Sequence, residues 1–509
     1  MKKILFVFCA LFLFEFSFSQ ELIYKQKYPF NNVKNFYVSQ NNKKQTLLHS
    51  YNYSKVKVEI VDSSYKSIYS TTEPFEFVNY EFLSTFYNQD NFYNLYINGK
   101  ELAMAIISPK GKIPFRFIKI GSITKDNSEE FFCYNELTNK AQFVTINRKE
   151  SKINLITVTS KGISERNVYD SPVKLSKDFD NSKFGTSINF EKPSFFTIED
   201  EKPQEISTVN NTSKTYSYGS KQLFAFRGKT VSGDFYCTKF LIFDSAQKSF
   251  MYKEILDTII SGGFYSVYDN TNFTFYNGNI YFIHLNESGY TIAQFNLSFD
   301  EIKRYNYSFS TDMKNINTLY YDGDNNATGN DIILVDSLST SKQEYISDLF
   351  NKKRKSVNLD FKSTIAVNKY KDDISFTIGI ARKMYFQVNV GGTGFMGSMF
   401  TSDMGNVPMG SAFPPTNLNY KQLFMPYTVV SNCLNYQFRY FITSADENNK
   451  FSDIKMKDYP NNLFRESFKN ILSKNIKIKE LMLNDFSGNY YFSFINKSDN
   501  TLELHLLKK

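Results

Sequence analysis

The residues most often used for catalysis are sparse and scattered along this chain of 509 residues. Its three histidines, His49, His284 and His505, each stand alone in an apolar, strand-like run. A catalytic triad needs a base held beside a nucleophile, and a zinc site needs clustered ligands, but no such spacing occurs. The histidines are therefore expected to be structural, and the sequence favours a non-enzymatic protein without a cofactor.

One acidic run has the beginning of a calcium-binding pattern. Asp322, Asp324 and Asn326 alternate in DGDNNATGND, as oxygen ligands in a calcium loop do. A complete loop would place an acidic residue at position 333, which is Ile333. A turn rich in Asp and Gly between two strands explains the same residues, so no metal site is expected.

The segment 391–420 differs in kind from the rest of the chain. It is rich in glycine, methionine and phenylalanine, and Asp403 is its only charged residue. Flexible thioether side chains fill irregular space, and Met-rich surfaces suit adaptable binding. A partner-binding element is therefore predicted, formed by Phe395, Met396, Met399, Phe400, Met404, Met409 and Phe413. The alternative is that this insertion folds back as an apolar cap.

The N-terminus has the pattern of a cleavable export signal. Lys2 and Lys3 precede an apolar run over residues 4–14, and the small residues Ser17 and Ser19 stand just before Gln20. We expect residues 1–19 to be a signal peptide whose removal leaves Gln20 first. The mature chain is then expected in the periplasm, with the extracellular space or cell surface as the second choice.

Export also limits how the other features are interpreted. Cys9 lies inside the apolar run of the signal, which argues against a lipid-modified cysteine. No later stretch approaches the roughly 20 apolar residues of a membrane helix, so no transmembrane segment is expected in the mature chain. The basic run at 352–355 would indicate nucleic-acid binding in a cytosolic protein, but an exported chain with net charge +9 is expected to bind no nucleic acid.

Three cysteines remain after the signal. Cys133, Cys237 and Cys433 each lie in an aromatic or apolar run, where a free cysteine behaves as a small buried hydrophobe. One disulfide with one unpaired cysteine stays open as an alternative, but a disulfide scaffold is excluded.

The elements that must position these residues are β-strands. Period-two alternation recurs along the chain, as in VKVEIV over residues 56–61, and the runs end in polar turns. The 52 Phe and 36 Tyr, with no Trp, favour half-buried pleated surfaces. An AT-rich coding sequence would enrich the same residue types, and part of the enrichment is assigned to that cause.

The strands recur in similar units. The segments that start at Tyr93, Tyr281 and Tyr491 each read as strand, polar turn and strand. Repeats of about 40 to 50 residues made of successive antiparallel strands are typical of β-propeller blades. The sequence predicts an all-β fold, a propeller of seven or eight blades, as a single domain over residues 20–509. The candidate blades are 30–72, 75–120, 129–170, 185–256, 263–309, 318–360 and 364–455, with a C-terminal unit at 478–509.

Two further segments complete this prediction. The C-terminal unit is one strand short, and the N-terminal run 22–30 is predicted to supply that strand and close the ring, which removes exposed sheet edges. Residues 199–215 are polar and rich in turn-forming residues, and they are predicted as a surface loop or a linker.

With this organisation, the chain resembles exported bacterial β-propellers over nearly its full length, without a motif specific to one family. Its C-terminal string, 484–509, also resembles the end of the sorting domains of type 9 secretion cargo, with a Gly-x-Tyr strand, a turn and a basic tail. Too few residues follow Tyr459 for a whole sorting domain, and the last hairpin of a propeller fits the string equally well.

The leading functional hypothesis is a non-enzymatic propeller that binds an envelope or outer-membrane protein through residues 391–420. The resemblance extends it to a periplasmic accessory or plugging subunit of the type 9 translocon, which occludes or assists an export channel. The alternative is a carbohydrate-binding or carbohydrate-active propeller, with aromatic residues and carboxylates lining its central channel. A third class is a bulk surface or adhesion protein.

Overall fold

The computed structural model describes most of the chain as β-strands separated by short connections. It describes residues 20–27, 35–52, 54–76, 79–88, 91–109, 115–125, 127–137, 139–175, 179, 195–199, 204, 206–230, 235–261, 271–285, 289–312, 320–324, 332–335, 361–370, 373–383, 436–446, 450–454, 478–486, 489–496 and 498–507. Within these ranges the strands form seven sheets.

The first three sheets each contain four antiparallel strands that follow one another along the chain. The first sheet comprises β2 (Asn35–Gln40), β3 (Thr46–Tyr51), β4 (Lys55–Val61) and β5 (Ser67–Pro74). The second comprises β6 (Glu81–Asn88), β7 (Asn91–Asn98), β8 (Glu101–Ile107) and β9 (Arg116–Ser122). The third comprises β10 (Glu129–Leu137), β11 (Lys140–Asn147), β12 (Lys152–Thr159) and β13 (Gly162–Asp170).

The next two sheets follow the same plan, with one parallel addition. The fourth comprises β14 (Phe195–Ile198), β15 (Ser213–Tyr218), β16 (Lys221–Lys229), β17 (Tyr236–Asp244) and β18 (Ser249–Leu256). In it β14 pairs parallel to β15, and the short helix α1 (Ile206–Val209) connects the two strands. Helix α2 (Asp257–Ser261) follows β18. The fifth comprises β19 (Thr271–Tyr276), β20 (Asn279–Leu285), β21 (Gly289–Asn296) and β22 (Glu301–Ser308).

The sixth sheet contains both of the predicted units 318–360 and 364–455. It comprises β23 (Tyr320–Asp324), β24 (Ile332–Val335), β25 (Phe361–Tyr370), β26 (Asp373–Lys383), β27 (Tyr436–Ala445) and β28 (Phe451–Asp453). Because β23 pairs with β27, two predicted blades share one sheet, and the described residues form seven sheets instead of eight.

The seventh sheet joins the two ends of the chain. It comprises β29 (Ile478–Phe486), β30 (Asn489–Asn496), β31 (Thr501–Leu507) and the N-terminal strand β1 (Gln20–Lys27). The predicted contribution of an N-terminal strand to the C-terminal unit is confirmed, since β1 pairs antiparallel with β31 and Gln20 lies opposite Leu507. Lys25 of β1 also forms ion pairs with Asp499, at 2.8 Å, and Glu503, at 3.0 Å.

Burial explains why successive sheets pack face to face. In middle strands such as β7, side chains on both faces are buried, whereas the outer strands β5 and β13 are largely exposed. One core cluster lies between the second and third sheets, and others lie between the third and fourth and between the fourth and fifth. Stacked four-stranded sheets that are exposed only at their outer strands form a propeller. The fold is an all-β propeller.

The described part of segment 199–215, which the sequence predicts as a surface loop or a linker, is largely buried. Gln204, Ile206 and Val209 are buried, and the segment runs through helix α1 into β15. The side chains of Gln204 and Lys214 form hydrogen bonds with buried partners, which hydrophobicity along the sequence does not reveal. Across the described ranges, no helix has the length and apolar character needed to cross a membrane.

Candidate functional site

The seven residues predicted to bind a partner, Phe395 to Phe413, lie outside the described residues, as does the whole segment 391–420. The incomplete calcium pattern is divided, with Asp322 and Asp324 in strand β23 and Asn326 outside the described residues. In the part of the chain that the structure covers, no group of three or more His, Cys, Asp or Glu side chains is placed to hold a metal ion.

The predicted single histidines are brought into three separate sheets. His49 is on β3, His284 on β20 and His505 on β31. All three are buried, and their polar neighbours are Tyr96, Thr271 and Glu503 respectively. Cys133 and Cys237 are buried and free, and burial raises the pKa of the Cys237 thiol to about 12. Cys433 lies outside the described residues.

Sequence reasoning missed a group of buried polar side chains where the fourth, fifth and sixth sheets meet. We call Gln204, Lys214, Arg227, Asp257 and Asn272 the polar junction. Four of the five belong to the fourth sheet or its connections, and Asn272 belongs to β19 of the fifth sheet. Charged side chains are rarely fully buried unless they are paired, so such a group marks a specialised joint between sheets.

An ion pair forms one end of the polar junction. The guanidinium of Arg227 donates two hydrogen bonds to the two carboxylate oxygens of Asp257, and a third to the Thr238 hydroxyl at 3.1 Å. Asp257 is the first residue of α2, so the pair ties β16 to the helix that leads towards the fifth sheet. A bidentate pair of this kind fixes orientation as well as distance.

Lys214 continues the polar junction into the fifth sheet. Its Nζ donates to Asn272 Oδ1 at 2.9 Å and to the carbonyl of Phe273, and it lies 4.3 Å from the centre of the Phe273 ring. Burial, then the charges of Arg227 and Lys362, hold the pKa of Lys214 well below its usual range. The amine is fully buried against protein groups, so its role is to hold β15 to β19.

Asn272 extends the same contacts to the sixth sheet. Its Nδ2 donates to the carbonyl of Ser363 on β25 at 3.0 Å and to that of Asn210 at 3.3 Å. One amide side chain therefore connects three sheets, because its oxygen accepts from Lys214 while its nitrogen donates to two carbonyls.

Gln204 makes a second bridge between the fifth and sixth sheets. Its backbone exchanges two hydrogen bonds with the Asn368 side chain, at 2.7 and 2.9 Å. Its own side chain donates to the carbonyl of Phe275 and accepts from the Thr274 hydroxyl and the Val367 amide. The connection between β14 and β15 of the fourth sheet is thus inserted between β19 of the fifth sheet and β25 of the sixth.

The two strands on either side of the predicted binding segment, β26 and β27, have their neighbouring ends at the Asn272 end of the polar junction. Lys383, the last residue of β26, lies opposite Tyr436, the first residue of β27. Because β25 and β26 are antiparallel, this position is beside the start of β25, where Ser363 accepts from Asn272. The strand ends at Lys383 and Tyr436 therefore lie near a position that the polar junction holds in place.

The sequence contains one weak signal of the polar junction, the lysine at position 214. Lys214 stands in SKTYSY, a strand-like run in which alternate residues are expected inside, but a lysine there reads equally well as solvent-exposed. The partners of the polar junction come from separate strands, so no local spacing could reveal that these residues meet.

Comparisons with known proteins assign neither a family nor an activity to this chain. No family model matches the chain, and no curated protein matches it. Solved structures with similar architecture include the Dos1 propeller, at 10% identity, a TM-score of 0.34 and 96% coverage of both chains. Drosophila Plexin A in complex with Semaphorin 1b gives 8% identity and a TM-score of 0.34, over 96% of this chain and 88% of that one.

For a third similar structure, the matched region covers less than half of that protein's chain. The dihydro-heme d1 dehydrogenase NirN gives 8% identity and a TM-score of 0.28, over 54% of this chain and 47% of that one. The chain thus spans about half the length of that enzyme. All three similarities are too distant to carry a conclusion about what this chain does.

Proposed function

We propose that this chain is a non-enzymatic envelope protein that binds another protein, with residues 391–420 as the contacting element. The observation that carries the proposal is that the segment 384–435 is anchored by neighbouring positions, Lys383 and Tyr436, on one sheet. Binding elements are commonly loops positioned by a rigid scaffold, and propeller domains often serve as such scaffolds. The segment's glycine, methionine and phenylalanine content suits an adaptable apolar contact.

The buried polar junction supports this role, because it makes the base of the segment rigid. A rigid base lowers the conformational entropy lost when a partner is bound. The binding chemistry then resides in the apolar side chains of the segment, from Phe395 to Phe413.

The test is affinity purification of the tagged protein from envelope extracts, with and without residues 391–415. We expect the deletion to remove a co-purifying outer-membrane protein. The matched control removes exposed apolar side chains elsewhere, by Val168→Ser and Ile302→Ser on outer strands, where the residues are 52% and 54% exposed. The control is expected to retain the partner, and identical partners with and without the segment would refute the proposal.

We further propose that the partner is an outer-membrane protein-export channel, and that this chain acts in the periplasm as an accessory or plugging subunit. The export signal predicted at 1–19 and the resemblance to exported bacterial β-propellers support this finer proposal. A photo-crosslinking amino acid at position 399 is expected to form an adduct with a channel-forming outer-membrane protein. An adduct only with soluble proteins would contradict it.

Mass spectrometry of the exported protein separates an accessory subunit from secretion cargo. An accessory subunit should keep its C-terminal strand β31, whose Leu502 and Leu504 are buried in the core shared with the first sheet. Removal of the C-terminal string on export would instead indicate cargo, and it would overturn the accessory role.

A further inference from the structure

A cage of aromatic rings surrounds His49 between the first and second sheets. We call Tyr37, His49, Tyr51, Phe82 and Tyr96 the aromatic seam. The ring centre of His49 lies 6.0 Å from that of Tyr37 and 5.6 Å from that of Tyr51, both on its own sheet. It lies 5.2 Å from Phe82 and 5.9 Å from Tyr96 on the second sheet.

The aromatic seam gives His49 a single polar partner. Its Nε2 lies 2.7 Å from the Tyr96 hydroxyl, and its Nδ1 has no hydrogen-bond partner among the described residues. A neutral imidazole has one N–H donor and one nitrogen acceptor, so it needs only one acceptor as a partner. A protonated imidazole has two N–H donors, so it needs two acceptors as partners. The cage therefore accommodates neutral His49 and leaves protonated His49 with a buried, unpaired donor.

No counter-charge faces His49 from the elements around it. The titratable groups that face it are Tyr37 from β2, Tyr51 from β3 and Tyr96 from β7, all neutral in acid, and β6 contributes Phe82. On β4, His49 lies opposite Val58, so the neighbouring Lys57 and Glu59 point to the other face of the sheet. Burial alone holds the pKa of His49 down, at about 3.

We propose that His49 makes the joint between the first and second sheets acid-labile, so that these two sheets separate in acid while the fifth sheet stays folded. The open joint admits water to the imidazole, which then binds a proton that the closed joint rejects. Since the ordinary pKa of 6.5 is higher than that of the closed state, opening becomes more favourable as pH falls below about 6.5. Each pH unit is expected to raise the open population about tenfold, until the pH nears the lower value.

The other two histidines provide the comparison within the same molecule. His505 lies 3.0 Å from the Glu503 carboxylate, which supplies a counter-charge for a protonated ring. His284 is as buried as His49, but it lies in the fifth sheet and its Nδ1 has the Thr271 hydroxyl at 2.9 Å. His284→Gln is therefore the matched control for His49→Gln.

Hydrogen exchange of backbone amides, corrected for intrinsic rates, tests the proposal between pH 7 and pH 4. In the unmodified protein, amides of β3 and β7 should lose protection by about tenfold per pH unit below 6.5, while those of β20 keep theirs. His49→Gln should abolish this pH dependence in β3 and β7, and His284→Gln should preserve it. Retention of the dependence in His49→Gln, or equal loss of protection in all sheets, would overturn the proposal.

A second measurement needs no variant. With histidine labelled on its imidazole, the three side chains give three NMR signals, and the His49 signal of the folded protein should not titrate near pH 6.5. Titration at the ordinary value with the fold intact would exclude an acid-labile joint.

Discussion

Two joints of this propeller are built from opposite chemistry. The aromatic seam closes the first and second sheets with tilted and edge-on rings. The polar junction closes the fourth, fifth and sixth sheets with an ion pair, a buried amine and two amides. Both joints are inaccessible to water, so packing sheets face to face does not require one kind of side chain.

The two joints are expected to respond differently to substitutions. The hydrophobic burial of ring surface is non-directional, so the aromatic seam is expected to tolerate the loss of a single polar atom. Buried hydrogen bonds and charges are directional and lose much more when one partner is removed than they contribute as a pair. The two joints can therefore be compared by the free energy of unfolding that is lost when one side-chain group is removed from each.

The largest effect is expected for Asp257→Ala, because it leaves the Arg227 guanidinium buried without its carboxylate. The free energy of unfolding should fall by about 3 to 5 kcal/mol, measured by urea denaturation. The control is the double variant Arg227→Met with Asp257→Ala, which removes both charges and should cost less than the single variant. If the double variant is less stable than Asp257→Ala, the cost of the single variant does not come from an unpaired buried Arg227 charge.

Gln204→Ala should have the next largest effect on the polar junction. It leaves the Phe275 carbonyl, the Thr274 hydroxyl and the Val367 amide without their side-chain partner. We expect a loss of roughly 2 to 4 kcal/mol in the free energy of unfolding, given about 1 to 3 kcal/mol for each buried group left unpaired. Gln222→Ala, which removes a half-buried contact with Gln142 at 2.8 Å, is the control and should cost roughly 1 kcal/mol. Equal losses of stability in the two variants would contradict the inference that the Gln204 side chain holds the fifth and sixth sheets together.

Lys214→Met tests how the buried Lys214 amine makes stability depend on pH. The pKa of Lys214 is lowered in the folded state, so the unfolded state binds more protons below the ordinary value of 10.5. The contribution of Lys214 to stability should therefore rise with pH over the alkaline range up to 10.5, by at most about 1.4 kcal/mol per unit. Lys214→Met should flatten this rise, whereas exposed Lys161→Met should leave it unchanged in thermal unfolding at pH 7 to 10. An unchanged slope in Lys214→Met would show that the amine does not titrate differently on unfolding.

The smallest effect is expected on the aromatic seam, for Tyr51→Phe. This variant removes a hydroxyl that accepts from the Phe82 amide at 3.2 Å and retains the ring that packs on Phe75 and Tyr96. The free energy of unfolding should fall by about 1 kcal/mol, measured under the same conditions as Asp257→Ala. A cost as large as that of Asp257→Ala would remove the distinction between the two joints.

Local sequence patterns explain what could be predicted. Alternating apolar residues and polar turns belong to neighbouring residues, so the strands of the first three sheets and of the fifth follow their predicted units closely. The pairing of the N-terminal strand was predictable for a different reason: the C-terminal unit lacked one strand, and only the other end of the chain offered a spare one.

The misses share one physical cause, which is that long-range contacts decide the burial of polar residues. Residues 199–215 look solvent-exposed because they are polar, yet Gln204 is buried by partners seventy or more residues away. Two predicted blades became one sheet because β23 pairs with β27, which lies beyond a long intervening stretch.

The sequence by itself determined an all-β chain of repeated hairpins, because strand periodicity and turn chemistry are local properties. It also determined the composition of segment 391–420, on which the proposed binding function depends. Only the tertiary structure decided that Lys214, Arg227, Asp257 and Asn272 meet, and that His49 is enclosed by rings from two sheets. Whether a buried polar group is tolerated depends on partners that the folded chain brings to it from distant positions.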